Sequence, residues 1–259
     1  ADGRQLRGES RGRRHSDVAV NGNNVRCRWL VCADGQNSPL RRLAALDRQR
    51  IRCQRFGFRR HYTVAPWSQH VEVHWSDCGQ MYVTPVGTDE ICVAFITRQP
   101  RLRFDDALPL FPKLSMRLRD AKALETRPLG SMTVTRQLRE VQRGHTALVG
   151  EASGSVDAIT GEGLSLAFQQ ATALARAMQT GNLQHYEKVH RRIRRLPSRM
   201  AALLLSLDEH RTLRQRVFRA FATEPTLFAR MLAVHTGAIS FLDFGFLRTL
   251  SLGWHLLIT

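Results

Sequence analysis

At 259 residues and 43% hydrophobic, the chain is long and apolar enough to bury a core, in one domain or two intimate ones. Its five cysteines (Cys27, Cys32, Cys53, Cys78, Cys92) are dispersed with no Cys-x-x-Cys pair, which excludes a disulfide framework or zinc ribbon and fits buried thiols in a reducing cytosol. The net charge of +17 is extreme for an enzyme, and no apolar run of membrane-spanning length or signal peptide accompanies it.

The positive charge is arginine-rich and falls in two stretches. One includes Arg11, Arg13, Arg14, Arg41, Arg42, Arg59 and Arg60; the other holds Lys188, Arg191, Arg192, Arg194, Arg195 and Arg199. A solvated basic surface is the plain reading. No aromatic interleaving accompanies the runs, so no specific nucleic-acid partner is expected, and peripheral contact with an anionic membrane stays open beside a cytoplasmic location.

Residues 1–16 are polar and show no periodicity. Residues 17–20 and 25–31 read as strands joined by Asn21-Gly22-Asn23-Asn24, a hairpin signal because Asn and Gly tolerate positive φ. In the second strand Val25, Cys27, Trp29 and Val31 alternate with Arg26 and Arg28, predicting one apolar face. That strand runs into Cys32-Ala33-Asp34-Gly35-Gln36-Asn37-Ser38-Pro39-Leu40-Arg41.

Four more strands are expected at 55–64, 71–75, 80–86 and 91–96, separated by turn residues. Alternation of Val71, Val73 and Trp75 with Glu72 and His74 predicts an antiparallel sheet with one wet face. His61, Tyr62, His70, His74 and Tyr82 are its polar and aromatic candidates; none is singled out as a catalytic acid or base, and His70 and His74 lack a third metal ligand. A helical stretch at 104–124, cut by Pro109 and Pro112, precedes a strand at 132–138.

The most informative stretch follows. An apolar strand at 146–149 leads into a loop with glycines at Gly150, Gly154, Gly161 and Gly163, and a helix begins after Gly163. Leu164, Ala167, Phe168, Ala171, Leu174 and Met178 are expected to form that helix's buried face, with Gly181-Asn182 capping its end. Such a strand, glycine loop and helix N-terminus let backbone approach a polar ligand, and Glu151 is placed to accept hydroxyl hydrogen bonds. Residues 183–259 read as helical, at 186–195, 198–207, 211–221 and 225–235, with a strongly apolar tail at 241–258. They are read as a helical cap, with a greasy or membrane-facing surface suited to a lipid-like substrate as the alternative.

Two of these motifs resemble those of FAD-dependent oxidoreductases of the aromatic-hydroxylase and geranylgeranyl-reductase kind. Gly150-Glu151-Ala152-Ser153-Gly154 is similar to the family's Gly-Asp-Ala-Ala/Ser-Gly, which binds the ribityl chain, with Glu151 in place of Asp. Thr160-Gly161-Glu162-Gly163 is similar to the segment lying against the flavin ring, and Leu164 follows it. Asp34, Gly35, Ser38 and Arg41 match the family's Asp-Gly-x-x-Ser-x-x-Arg motif, which approaches the pyrophosphate and ribityl region; Cys32 stands where the family has glycine.

The resemblance implies an α/β fold with FAD as cofactor and NAD(P)H as electron donor for a small hydrophobic, aromatic or isoprenoid-like substrate. It divides the chain into a partial, Rossmann-like FAD-binding domain (1–52), a substrate-binding β-sheet (53–140), a return to the cofactor domain (141–182) and the helical region (183–259). Implied cofactor-binding residues are Asp34, Gly35, Arg41, Gly150, Glu151, Thr160, Gly161, Glu162, Gly163 and Leu164. The chemistry is double-bond reduction or hydroxylation, carried by the flavin, so no catalytic side chain is assigned. The halogenase signature Trp-x-Trp-x-Ile-Pro does not occur around Trp29, Trp67, Trp75 or Trp254, which ranks that chemistry lower. The family's opening Gly-x-Gly-x-x-Gly is unmatched, since Gly3, Gly8 and Gly12 have the wrong spacing. The first βαβ unit is therefore expected to be missing, with a parallel sheet edge left open. A non-catalytic remnant or basic binding protein is the alternative.

Overall fold

The computed structural model describes residues 16–20 and 22–240. The expectations for the arginines at 11–14, for Asn21 and for the apolar tail at 241–258 lie outside the described residues. Contacts group the chain into two compact units, one of Cys53–Val134 and one of the segments on either side.

In the flanking unit, β1 (Ser16–Val20) pairs antiparallel with β2 (Asn23–Cys27), from Ser16↔Cys27 to Val20↔Asn23. The hairpin forms as its turn residues dictate, but its second strand does not continue to Val31. The chain bends at Arg28, and β3 (Leu30–Cys32) joins a different sheet. The expected apolar face dissolves with that break: Val25 and Val31 are exposed, and Cys32 is the fully buried residue. After β3 come a loop and the short helix α1 (Pro39–Leu43).

The antiparallel unit is built from β4 (Gln49–Thr63), β5 (Glu72–Ser76), β6 (Gly79–Pro85), β7 (Glu90–Thr97), β8 (Lys122–Ala123) and β9 (Leu129–Leu138). They form a six-stranded sheet of order β5-β6-β7-β4-β8, with β9 also paired to β4. Alternation works in its central strands: Met81 and Val83 of β6 and Ile91, Val93 and Phe95 of β7 are buried. The edge strand β5 reverses its expected faces. Val71, just before it, and Val73 within it are exposed, whereas Glu72 is half-buried, accepting from Trp67 Nε1 at 3.0 Å and lying 3.2 Å from His74 Nε2.

Two short helices, α2 (Phe104–Ala107) and α3 (Pro112–Arg117), cover the buried face with Phe104 and Leu114, and Phe111 joins them from the segment between. Pro109 lies in a 3-10 turn between them and Pro112 is the first residue of α3, so helix ends at Arg117 rather than 124.

Past β9 the chain returns to the first unit through β10 (Gln142–Arg143) and β11 (Thr146–Leu148). The three-stranded sheet has order β10-β11-β3, and β11 runs parallel to β3 with Leu148 beside Cys32. Four helices follow: α4 (Gly163–Gln179), α5 (Leu183–Glu209), α6 (Arg211–Thr223) and α7 (Pro225–His235). α5 is one helix where two are expected. Pro197 sits inside it, because its ring is buried beside Met200 and Ala201 and packing outweighs one lost backbone bond. The face of α4 is also rotated from its expected position. Leu166, Gln170, Leu174 and Ala177 point inward, while Leu164 and Phe168 are 76% and 69% exposed.

Phe95 tests the packing of the antiparallel unit. It is fully buried, stacks on Phe58 at 6.4 Å and meets Phe111 edge-on at 6.2 Å. Phe95→Ala should lower that unit's stability by about 3–5 kcal/mol, read by urea unfolding through the fluorescence of Trp67 and Trp75.

Candidate functional site

Because β3 and β11 are adjacent and parallel, the loops after Cys32 and Leu148 leave the same end of the sheet. Ligands of open α/β sheets bind at that carboxyl end.

The first loop is held by its own side chains. Asp34 Oδ1 accepts from Ser38 Oγ at 2.5 Å, and Oδ2 accepts the Leu40 N–H at 3.1 Å. Ser38 caps α1 by accepting the Arg41 N–H at 3.0 Å. Arg41 is 3% exposed and does not face solvent. Its Nε donates to Asp47 at 2.7 Å, one terminal nitrogen to the Gln36 carbonyl at 3.2 Å, and the other to the Ala152 carbonyl at 3.1 Å. The last bond ties the first loop directly to the second. Asp34 and Arg41 are thus engaged inside the protein, while Gly35 faces open space where a Cβ would stand.

The second loop is ordered from beneath. Ser153 is fully buried; its hydroxyl donates to the Gly150 carbonyl at 2.7 Å and lies 3.1 Å from Gln170 Oε1, which accepts the Gly150 N–H at 2.9 Å. His190 Nε2 lies 2.9 Å from the same hydroxyl. Burial, reinforced by Arg194 and Arg191, lowers the His190 imidazole to about 3. A neutral ring donating from Nε2 completes the set. Tyr186 Oη donates to the Leu148 carbonyl at 2.7 Å, and burial raises its phenol.

Two further arginines close the loop. Arg136 on β9 donates to the Gln36 carbonyl, and its backbone exchanges two hydrogen bonds with Ser155 at 3.0 and 3.1 Å. Arg194 on α5 donates to the carbonyls of Arg136 at 2.9 Å, Ser155 at 3.1 Å and Ser153 at 3.3 Å. Burial lowers the proton affinity of both guanidinium groups, and neighbouring Arg41 adds to the effect on Arg136. Arg194, read from sequence as part of a basic surface run, is instead an internal tie; Lys188, Arg192, Arg195 and Arg199 are exposed.

Beyond this clamp the chain opens. Asp157, buried, accepts the Ile159 N–H at 3.0 Å, and Thr160 Oγ1 donates to the Asp157 carbonyl at 3.1 Å. Gly161 and Gly163 face open space where a Cβ would stand, Leu164 is exposed, and Glu151 is exposed at the start of the loop. Glu162 is half-buried, with Oε2 enclosed and without a hydrogen-bond partner. The open space thus lies at Gly35, Gly161 and Gly163, with free backbone amides at the head of α4 beside the last two.

The structure therefore brings the two sequence motifs together and shows residues the sequence reading did not select: Arg136, His190, Arg194 and Gln170. Tyr186, His190 and Arg194 recur every four residues on α5, a signal of one inward face that was present in the sequence. Arg136 carries no such signal.

No protein-family model and no curated protein sequence matches this chain. Solved structures do. A flavoprotein/dehydrogenase from Cytophaga hutchinsonii aligns over 92% of this chain and 65% of its own length, with a TM-score of 0.70 and 15% identity. The myxobacterial chondrochloren halogenase CndH, an FAD-dependent halogenase, aligns over 78% and 52%, with a TM-score of 0.64 and 16% identity. The flavin-dependent brominase Bmp2 aligns over 97% and 63%, with a TM-score of 0.60 and 16% identity. The chain spans under two-thirds of the length of each. At these identities the likeness is one of fold: a mixed α/β, Rossmann-like arrangement with an added antiparallel sheet and C-terminal helices.

Two measurements probe the clamp. Gly154 has φ +105°, and a Cβ there would stand 2.6 Å from an Arg194 nitrogen and 2.8 Å from the Arg136 carbonyl oxygen. Gly154→Ala should cost roughly 2 kcal/mol or more in chemical denaturation, with loss of loop protection in amide exchange. His190 is held neutral when folded, so the unfolded chain binds its proton first as pH falls. Its contribution is complete above about 6.5 and is lost toward about 3, at up to about 1.4 kcal/mol per pH unit. His190→Gln should flatten that part of the stability–pH profile.

Proposed function

We propose that the chain forms the loop-bearing part of an FAD-dependent oxidoreductase of the aromatic-hydroxylase and geranylgeranyl-reductase kind. The carrying observation is that two glycine loops leave neighbouring parallel strands at one end, are fastened by the Arg41–Ala152 bond, and leave open space at Gly35, Gly161 and Gly163. In this reading Gly35 lets backbone approach the phosphate and ribityl region, with Asp34 and Arg41 shaping the loop. Gly150 and Glu151 meet the ribityl hydroxyls, and Thr160, Gly161, Glu162, Gly163 and Leu164 border the ring. The backbone amides at the head of α4 hold negative charge there. A bound flavin supplies the hydride and electron transfer, reduced by NAD(P)H, toward a small hydrophobic, aromatic or isoprenoid-like substrate.

The internal engagement of Asp34 and Arg41 favours a second reading, a fold retained without the cofactor as a basic binding protein. No helix among the described residues is long and apolar enough to cross a membrane. The exposed cations of α5 support peripheral contact with an anionic membrane within a cytoplasmic assignment.

The deciding measurement is an absorbance spectrum after mixing with FAD and desalting. Retained bands near roughly 370 and 450 nm are expected, either from the chain alone or after an N-terminal Rossmann segment is supplied. A colourless protein under both conditions, with salt-sensitive binding to anionic vesicles or nucleic acid, would establish the second reading instead.

A further inference from the structure

In β4, Phe58 and Tyr62 belong to the apolar core, so Arg59 and His61, of the opposite parity, lie on the other face of the sheet. His61 stands directly opposite Cys92 of β7, which stands opposite Thr84 of β6; Arg59 is opposite Ala94, which is opposite Tyr82. Side chains paired in this way have Cβ atoms about 4.5–5.5 Å apart. Cys92 and Ala94 are small, and the residues flanking them are larger. Arg59 is exposed and the other five are half-buried, so together they outline a trough that is open within this unit.

His61 is fixed at one wall of the trough. Its Nδ1 lies 2.7 Å from Glu125 Oε1, while Oε2 of the same carboxyl accepts the His61 N–H at 2.7 Å. The Leu124 N–H donates to the His61 carbonyl at 3.0 Å, and β8 pairs with β4 at Tyr62↔Ala123, so backbone also holds Glu125 in place. The bonds from His61 keep the Glu125 carboxyl below its ordinary range. A carboxylate only accepts, so Nδ1 carries the hydrogen and the neutral ring presents its lone pair at Nε2. Nε2 has no hydrogen-bond partner among the described residues, and the side chain is 19% exposed, within reach of a ligand. Arg59, on the same face, has no ion-pair partner among the described residues.

We propose that Glu125, His61 and Arg59 make this face of the sheet a site for a ligand with a weakly acidic hydroxyl, phenolic or enolic, bound as its anion. The Nε2 lone pair of His61 takes the hydroxyl proton, and the O–H electron pair stays on the ligand oxygen. The Glu125 carboxylate balances the imidazolium, and the Arg59 guanidinium balances the ligand anion. His61 touches the ligand; Glu125 acts through it as a positioning residue that sets the tautomer. The other titratable groups on this face are Cys92 and Glu90 of β7. Arg59, Glu125 and Glu90 all act on the Cys92 thiol, which agrees with their sharing one region of the face. The site is contained in the antiparallel unit and does not depend on the flavin reading. Where that reading also holds, it narrows the substrate to one with an ionisable hydroxyl and disfavours a plain isoprenoid.

The test is the ionisation of para-nitrophenol mixed with the full chain, without FAD, followed through its yellow anion band over a pH series. Moderate ionic strength screens the general positive charge of the surface. Wild type should lower the midpoint of ionisation by about one pH unit, a tenfold preference for the anion. His61→Gln should return the midpoint to that of free nitrophenol, and Glu125→Gln should remove most of the shift. Arg59→Gln alters an exposed side chain and should weaken binding of the anion about threefold with the fold unchanged. Para-nitroanisole, which has no proton to give, should bind no better to wild type than to the variants. An unmoved midpoint in wild type overturns the proposal. So does a shift that persists in folded His61→Gln, which would be anion capture by the basic surface at large. If His61→Gln fails to fold, a shift untouched by both Glu125→Gln and Arg59→Gln overturns it equally.

Discussion

The loop site depends on arginine side chains that bind main-chain carbonyl oxygens inside the protein. Arg41, Arg136 and Arg194 donate to Gln36, Ala152, Ser153, Ser155 and the backbone of Arg136 itself, so each fixes backbone, and Arg41 binds the Asp47 side chain as well. A guanidinium has five N–H donors in a rigid plane and stays charged when buried. Two loops with few apolar residues can therefore be held in one shape without a hydrophobic core between them. The arrangement is costly to disturb, because hydrogen bonds to charged groups contribute about 1.5–3 kcal/mol each and removal of the donor strands buried carbonyls. Among the described residues, Arg41 alone of the three is hydrogen-bonded to a carboxylate, that of Asp47. The hydrogen bonds of Arg136 and Arg194 go to peptide carbonyls, and the carboxylates of Asp47 and Glu151 act on Arg136 through space.

The antiparallel unit solves a different problem by ordinary packing. Much of its interior is a phenylalanine and aliphatic layer between sheet and short helices, while Arg55 bonded to Gln80, and Thr97 bonded to the Cys78 carbonyl, are polar contacts that are themselves fully buried. At one margin Glu72 gathers Trp67, His74 and Arg117, the last also resting on the Trp67 ring at 4.9 Å. Burial works against ionisation of Glu72, but those donors prevail and hold its carboxyl below the ordinary value. That cluster explains why β5 turns Val73 outward: the polar side of the strand has better partners.

How much of this was legible in the sequence varies with the range of the interaction. The β1–β2 hairpin, the central strands β6 and β7, and the strand–loop–helix from Thr146 to Gln179 follow from local chemistry, and the structure contains them. Burial side was misread wherever a nonlocal partner decided it. Leu164 and Phe168 are apolar at helical spacing but exposed, because Gln170 is drawn inward by Gly150 and Ser153 and sets the rotation of α4. Helix is expected at 186–195 and 198–207 with a gap around Pro197, because the burial of that residue inside one continuous helix has no local mark. At the site, the glycine positions were readable. The arginine ties were not, because a carbonyl acceptor leaves no trace in residue type.

Cys32 stands at the end of β3, fully buried, where burial first and the charge of Asp34 second push its thiol to about 12. At neutral pH almost none of it is thiolate, the form that attacks peroxide, disulfides and electrophiles. A sulfur atom can thus lie beside a loop proposed to host redox chemistry and behave as a small apolar filler. Its inertness comes from the same enclosure and nearby carboxylate that shape the loop, so the strand end is chemically quiet even though its sequence places a thiol there.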